Sequence, residues 1–587
     1  MRSYFYPRPR RAVWVWGTLA FVVVLGAAVL WIGVRGIAAA DELRAAKTVA
    51  QSLREKVIAG DTDAATVLSE SLAGHTNRAV ELTSDPVWRA AEFLPFVGKN
   101  LLAVGQSARI VDGLAVDVTV PLIPIADGLD LSAIAGTSVD LAPLAAAAPA
   151  LDKAYKAVIP IREEARAVNA DVTLPFIRRA VDELKALVDS TAESVEVLNR
   201  AAILIPPMLG GSGPRNYLLL VQNSAELRAS GGVVGATAVL SVSEGEVTIS
   251  GQKSAAEFPL LPAPILPLTA AEGTLYGDGI GRDLEAVNLT PDFARTAELA
   301  VAMAQPVYGT TFDGVLAIDP YVLQLLLTAT GPVSVNADLV LSEKNVVQLL
   351  LTDVYRDLAN QQAQESFFAV MTDAVLNAVM SDNVSPRALL AALLEGASDG
   401  RILLWSADSA EQAMLAETTL AGSLRPSAEG FVGVYLNDAT GGKMDVYVTA
   451  ATKLGCAPTS DEVGGTRRAT ITLSSSAPAD AATALPAAVT GEGQEGILPG
   501  HIRTQVVVVL PPDAVVVSAT RGDEQPAVVA RDDEGRSVVT MPTEIAPGGS
   551  VAVTIDFTAA QIATISGTAG IDFLHAEPVF IPCSVGG

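Results

Sequence analysis

The stretch Asn216–Val242, NYLLLVQNSAELRASGGVVGATAVLSV, holds the residue types in this chain best suited to gripping an anion. Asn223 and Glu226 offer oxygen ligands, Arg228 a planar fork for phosphate or carboxylate, and Gly231 and Gly232 a backbone that an anion can approach closely. The loop follows an apolar run, and the carboxyl ends of strands are where α/β sheets bind ligands. A plainer reading pairs Glu226 with Arg228 across the loop and gives the glycines a turn that needs positive φ. On the residues alone both readings are open.

Other motifs carry less. Gly396–Gly400, GASDG, matches the nucleophile-elbow pattern G-x-S-x-G, but an elbow needs strand, turn, then helix, and here a helical pattern precedes and the strand RILLWS follows. The spacing therefore predicts a helix-ending loop. Asn437–Met444, NDATGGKM, reads as a polar or sugar-binding loop or as a tight turn between two strands, the composition favouring the turn; Tyr435 and Tyr447 flank it. There is no H-E-x-x-H, Walker loop or dinucleotide fingerprint after a strand. The three histidines, His75, His501 and His575, show no zinc-ligand spacing with the cysteines, and no metal site is assigned.

These residues need a scaffold, and 587 residues are too many for one core. The reading is an α+β multidomain chain. Residues 1–11 form a cytoplasmic tail and 12–34 a transmembrane helix, followed by an extracytoplasmic helical bundle or stalk over 41–209. A central α/β domain takes 214–424 and a C-terminal antiparallel β-sandwich 425–587. Spacings of three and four in DELRAAKTVAQSLREKVIAG and FIRRAVDELKALVDSTAESVEVLNRAAIL argue helix. GGSGP at 210–214 is a breaker, after which strands and helices alternate, and from about 425 short Val/Thr-rich runs separated by Gly, Pro and Asp argue sandwich strands.

Residues 12–34 give about 23 apolar positions, enough to span a hydrocarbon core of roughly 30 Å. Arg2, Arg8, Arg10 and Arg11 precede the segment and Arg35 follows it, so the positive-inside rule places the N-terminus in the cytoplasm and the bulk outside the cell membrane. A cleaved signal peptide ending near Ala38–Ala40 is the competing reading, against which stands the length of the apolar run. The formal charge of −26 leaves no basic face for nucleic acid. Cys456 and Cys583, the only two cysteines, either pair or stay as buried thiols. Paired, they close a loop of roughly 125 residues, worth on the order of 4 to 5 kcal/mol.

Several segments, NYLLLVQNSAELRASGGVVG, FDGVLAIDPYVLQLLLTATGPVSV, GRILLWSADSAEQAMLAETTLAG, VYLNDATGGKMDVYV and DPVWRAAEFLPFVGKNL, resemble the bacterial family known as domain of unknown function 4012, typical of actinobacterial envelopes. That resemblance implies an anchored extracytoplasmic protein and no particular activity. The central segments also resemble LytR-CpsA-Psr phosphotransferases, which move glycopolymers from polyprenyl-pyrophosphate carriers to the wall. This second resemblance implies Asn223 and Arg228 facing a pyrophosphate, Arg282 and Asp283 as further site residues, and Mg²⁺ as cofactor. Asn223 stands where that family has an aspartate, and ASGG replaces its second acidic residue, so carboxylates for a hard cation are missing. Two functions follow: a non-catalytic module that binds or assembles cell-wall or surface polysaccharide, and a transferase acting on a lipid-pyrophosphate-linked glycopolymer.

Overall fold

The computed structural model describes residues 11–59, 61–95, 97–126, 139–336, 338–358, 360–379, 381, 384–422, 424, 431–456, 466–491, 496–532, 535–559, 564–567 and 579–580. The chain divides into two compact units. One comprises residues up to Asp130 and Leu141–Pro207, and the other Met208 onward with Leu131–Asp140.

The first unit is helical. Helix α1, Arg11–Ile58, continues without a break from the apolar segment into the charged one. It is long and apolar enough to cross a membrane, and Leu19, Phe21, Val24, Val29 and Leu30 are exposed along it. Asp61 caps α2, Thr62–Leu82, by accepting the N–H of Ala64. Glu42 meets His75 while Arg35 reaches the carbonyls of Glu81 and Leu82, so α2 runs back antiparallel along α1. Ala46 and Leu53 then pack on Ala65 and Leu72. A short α3, Pro86–Ala91, leads to α4, Gly98–Gly113, which passes through a π-helical turn at Leu114–Thr119 into α5, Val120–Ala126. Helices α6, Ala142–Ala167, and α7, Pro175–Met208, bury Val158, Val181 and Val188 against Ile110 of α4.

A mixed five-stranded sheet opens the second unit. Its strands are β1, Arg215–Arg228; β2, Gly231–Ser243; β3, Glu246–Ser254; β4, Gly314–Ile318; and β7, Leu403–Ser406, in the order β3-β2-β1-β4-β7. Only β1 and β4 run parallel; the remaining pairs are antiparallel. Because side chains alternate across a strand, Leu218 and Leu220 of β1 face one layer and Leu219 the other. The first layer holds α8, Ala270–Leu275, and α9, Phe293–Tyr308, whose Ala297, Ala300 and Met303 meet the sheet. The opposite layer begins with α10, Pro320–Thr330, and the two-residue strands β5, Val333–Ser334, and β6, Val340–Leu341. It continues with α11, Val346–Gln348, a π-helical turn, and α12, Val354–Asp357, then α13, Gln361–Val379, and α14, Pro386–Ser398. GASDG ends α14, as its context predicts, and β7 and α15, Ser409–Leu415, follow.

Two further five-stranded sheets complete the unit. One orders β12 (Val515–Arg521), β15 (Ser550–Thr558), β10 (Arg467–Ser475), β9 (Val448–Cys456) and β17 (Val579–Phe580). The other orders β13 (Val528–Arg531), β14 (Ser537–Ile545), β11 (Ile502–Val509), β8 (Phe431–Asp438) and β16 (Thr564–Gly567). Short helices α16, Ala481–Ala484, and α17, Ala487–Thr490, occupy the insertion between β10 and β11. Ile471, Ile555 and Phe557 of the first sheet share one core with Val434, Val506 and Met541 of the second. The pairing departs from all-antiparallel at two places, since β16 runs parallel to β8 and β17 parallel to β9. The described residues hold one of the two cysteines, Cys456 at the end of β9, and so contain no complete disulfide; Cys583 lies outside them.

Strand β1 does not stop at the edge of its own sheet. Ala225 and Leu227, both fully buried, join the core between the two C-terminal sheets.

Candidate functional site

What carries β1 into that core is an irregularity in its pairing with β2. Asn223 faces Val233 and the next paired residue is Leu227, opposite Gly232, which leaves Ser224, Ala225 and Glu226 looped out. The Asn223 side chain fixes the bulge by accepting the N–H of Ala225 at 3.0 Å. Across the hairpin the backbones approach so closely that a Cβ on Gly232 would sit 2.3 Å from the carbonyl carbon of Asn223, and Gly231 adopts φ +121°. The glycines thus serve the hairpin. Gly232→Ala is expected to cost about 2 kcal/mol, typical of overpacking, in urea unfolding, without creating or removing any charge.

Beyond the bulge lies a buried charge network. Glu226 accepts from Arg228 at 2.6 Å and from Lys443. The Arg228 guanidinium also donates to the carbonyls of Leu227 at 2.9 Å and Glu285 at 3.2 Å, so each of its nitrogens has a partner inside the protein. Asn437 and Asp445 accept the N–H groups of Ala229 and Leu227, both at 2.7 Å, stitching the end of β1 to the β8–β9 connection. Asp438 accepts N–H groups from Thr440 and Gly441, making NDATGGKM the turn its composition predicts. That turn also supplies Lys443 and Asp438 to the network, and Asp445 follows it directly. Tyr435 is buried beside Ala229 rather than displayed, and Tyr447 is half-buried.

The three carboxylates respond differently to this site. Burial works to raise Glu226, but Lys443 and Arg228 overcome it and hold the carboxyl below its ordinary range. Asp438 is pushed up by burial and by Glu226. Asp445, wholly buried with Oδ1 lacking a hydrogen-bond partner among the described residues, is pushed well above its ordinary 3.8, by burial and then by Asp438. A carboxyl raised in the folded state binds more protons than in the unfolded chain, so its contribution to stability is complete below the ordinary value and is lost as pH climbs through the raised one. Asp445→Asn is therefore expected to raise stability at neutral pH by on the order of 1 kcal/mol and to flatten the decline between mildly acidic and neutral pH. Urea unfolding over a pH series reads both, and an unchanged slope would exclude Asp445 as its source.

Beside the network, at the carboxyl ends of β1 and β4, opens a cleft of about 570 Å³. Val221, Gln222 and Asn223 of β1, Ile318 of β4 and Asp319 just after it form its floor, with Gly235 and Ala236 of β2 along one side and Phe368, Ala369 and Thr372 of α13 along the other. Lys443, Lys253, Glu257, Glu285 and Glu365 line it as well. Asn223 donates to the Tyr355 hydroxyl, another lining group. Asp319 caps α10 through the N–H groups of Tyr321 and Val322 and pairs with Arg401 at 2.8 Å, so a carboxylate already occupies that helix terminus. Lys443 is held by Glu226, and Lys253 lies 3.4 Å from Glu257. The Glu285 carboxyl has no ion-pair partner among the described residues. Lost hydration, then Asp283 and Glu226, hold it above its ordinary range.

Of the residues singled out from the sequence, Asn223 lines the cleft, and Glu226 borders it through Lys443. Arg228, Gly231 and Gly232 belong to the joint between β1 and the C-terminal sheets. Arg282 donates to Asp278 at 2.9 Å and to the Leu261 carbonyl at 2.8 Å, while Asp283 caps a short turn through the N–H of Glu285. The Arg228 and Arg282–Asp283 groups meet only by way of Glu285. Sequence reading missed Glu285, Tyr355 and the α13 wall, whereas Lys443 lay within NDATGGKM, weighed there as a polar or sugar-binding loop against a turn. A charged lysine directly after a Gly-Gly turn was the one local hint. Among the described residues no group of three or more His, Cys, Asp or Glu is arranged to hold a metal.

In comparison with known proteins, residues 212–355, from just before β1 into α12, match the model of the family described as "Protein of unknown function (DUF4012)". Two of the five segments likened to that family in the sequence, at 216–235 and 312–335, lie within this range and the other three lie outside it. A likeness to LytR-CpsA-Psr transferases is not among what the matches support. No curated protein matches the chain. A solved structure, protein gbs0355 from Streptococcus agalactiae, aligns at 15% identity over 36% of this chain and 74% of its own, with a TM-score of 0.23, and carries no argument.

Proposed function

We propose that this chain is a single-pass, outward-facing envelope protein whose cleft binds a neutral carbohydrate of the wall or surface polysaccharide without transforming it. The cleft lining carries this reading. Its carboxylates outnumber its two lysines, and both lysines already face a glutamate. A phosphate-bearing ligand meets net repulsion there, whereas a sugar finds amides and carboxylates to bond its hydroxyls and, in half-buried Phe368, an apolar surface to pack on. The Glu285 carboxyl, without an ion-pair partner among the described residues, offers its oxygens to a hydroxyl. The anchor is the apolar half of α1, and the arginines before it orient the chain outward.

A transferase using a polyprenyl-pyrophosphate carrier and Mg²⁺ is the second reading. It needs Arg228 to face the pyrophosphate, and no observation favours it, because Arg228 donates to Glu226, Leu227 and Glu285. Titrating the full-length protein with neutral wall oligosaccharides and, separately, with a polyprenyl-pyrophosphate analogue with and without Mg²⁺ separates the two. Saturable, salt-insensitive binding of the oligosaccharide is expected; Mg²⁺-dependent binding of the pyrophosphate alone would overturn the proposal.

A further inference from the structure

The helical unit carries an apolar surface that its own core does not use. Phe93 is 90% exposed on the connection from α3 to α4, with Leu94 and Val97 beside it, and Phe176 is 67% exposed at the start of α7, with Val172 and Leu174 on the preceding connection. Both stretches contain Leu-Pro-Phe, at 94–96 and 174–176. They are neighbours in space, since the backbone N–H of Leu174 donates to the Asn100 side chain at 2.8 Å. A contiguous apolar patch on a protein surface marks a contact with something else.

Helix α1 says what that something is. Arg35, at the end of the apolar segment, donates to the carbonyls of Glu81 and Leu82 and pairs with Asp85 at 2.9 Å. Trp88 follows at once, packing with Leu101, Ala91 and Ile32 of α1, and its indole N–H donates to the Leu101 carbonyl. Leu101 is therefore level with Ile32, inside the apolar segment. From there α4 climbs away: Gly105 lies beside Thr83, and Asp112 bonds Thr76 of α2. Residues 93–95 and Val97 precede Leu101 and fall on the other side of that level, about one helical turn of roughly 5 Å closer to the middle of the apolar segment. Asn100 keeps Leu174 and its neighbours at the same height. Exposed Arg89, Lys99 and Arg179 flank the two stretches in sequence, with half-buried Glu92 and exposed Asp171 immediately preceding them, so exposed cations outnumber carboxylates there, an arrangement suited to lipid phosphates above an apolar tip.

We propose that the connections at 93–97 and 172–176 insert into the outer leaflet of the membrane that α1 crosses, so that the helical unit is docked on the bilayer at three points instead of hanging from one helix. This inference rests on the anchor reading of α1. The test keeps the two apart. Full-length protein bearing Phe93→Cys, Phe176→Cys, Leu30→Cys or Glu55→Cys is labelled with an environment-sensitive dye under non-reducing conditions, with the unsubstituted chain as blank. Each is reconstituted into phosphatidylcholine vesicles with or without brominated lipid. Labels at 93, 176 and 30 are expected to lose about half their emission, as for side chains about 5–10 Å into the boundary, while the label at exposed Glu55 keeps its own. Quenching at 30 alone refutes docking and leaves the anchor standing. Quenching at none of them refutes both. Labels at 93 and 176 shielded from an aqueous quencher yet untouched by brominated lipid identify a protein partner and overturn the lipid assignment.

Discussion

Replacing Arg228 with Ala is expected to cost about 3 to 5 kcal/mol of stability, the usual penalty for removing one partner of a buried ion pair. The Arg228 side chain is 11% exposed and that of Glu226 13%, and Asp438 and Asp445 lie buried nearby. Without the guanidinium, three carboxyl groups are left with Lys443 alone, and the carbonyls of Leu227 and Glu285 lose donors. Arg228→Lys restores the charge but not the fork, so it recovers only part of the loss. The double variant Glu226→Gln/Arg228→Met is expected to cost less than the two single changes added together, because the pair fails as a unit. Urea unfolding measures all of these. If Arg228→Ala changes stability by less than about 1 kcal/mol, the range usual for surface changes, the arginine is free for a ligand and the structural joint is misassigned.

That joint also shows where sequence reading stops. The run Leu218–Leu220 announces a strand buried on both faces, and Glu244–Gly245, both at positive φ, announces the β2–β3 hairpin. The acidic start of α9 at Asp292 was equally legible, while its stop at Gly309, with φ +66°, was not read from the sequence. All of these signals are local. The continuation of β1 through NSAELR depends on Asn437, Lys443 and Asp445, more than two hundred residues away, and no periodicity reports such a partner. For the same reason the Glu226–Arg228 spacing fits a pair and an anion grip equally well until the backbone carbonyls around Arg228 are known. Ser342 illustrates a smaller gap: a serine before SEKNVVQLLL suits a helix cap, but it bonds Asn345 in a turn and the helix begins only at Val346.

The cleft makes the second large prediction. Its two side walls can be filled independently, by Ala369→Trp from α13 and by Gly235→Phe from β2, where a Cβ meets nothing nearer than 3.9 Å. Either change places an indole or phenyl ring in the volume a sugar would occupy, while the buried network stays intact. Binding is expected to weaken at least tenfold, about 1.4 kcal/mol, with stability held within about 0.5 kcal/mol, as for a side chain added to open space. Lys253→Gln, which removes positive charge from the same wall, leaves binding of a neutral sugar nearly unchanged, whereas it weakens binding of a pyrophosphate.

The most direct test of the whole account is one titration of neutral wall oligosaccharide against the full-length wild-type, Ala369→Trp and Arg228→Lys proteins. Loss of binding in the cleft-filled variant, with the arginine variant still binding wherever it remains folded, is the predicted result. Binding that survives a filled cleft and disappears from folded Arg228→Lys would contradict it and return the site to the loop NSAELRASGG.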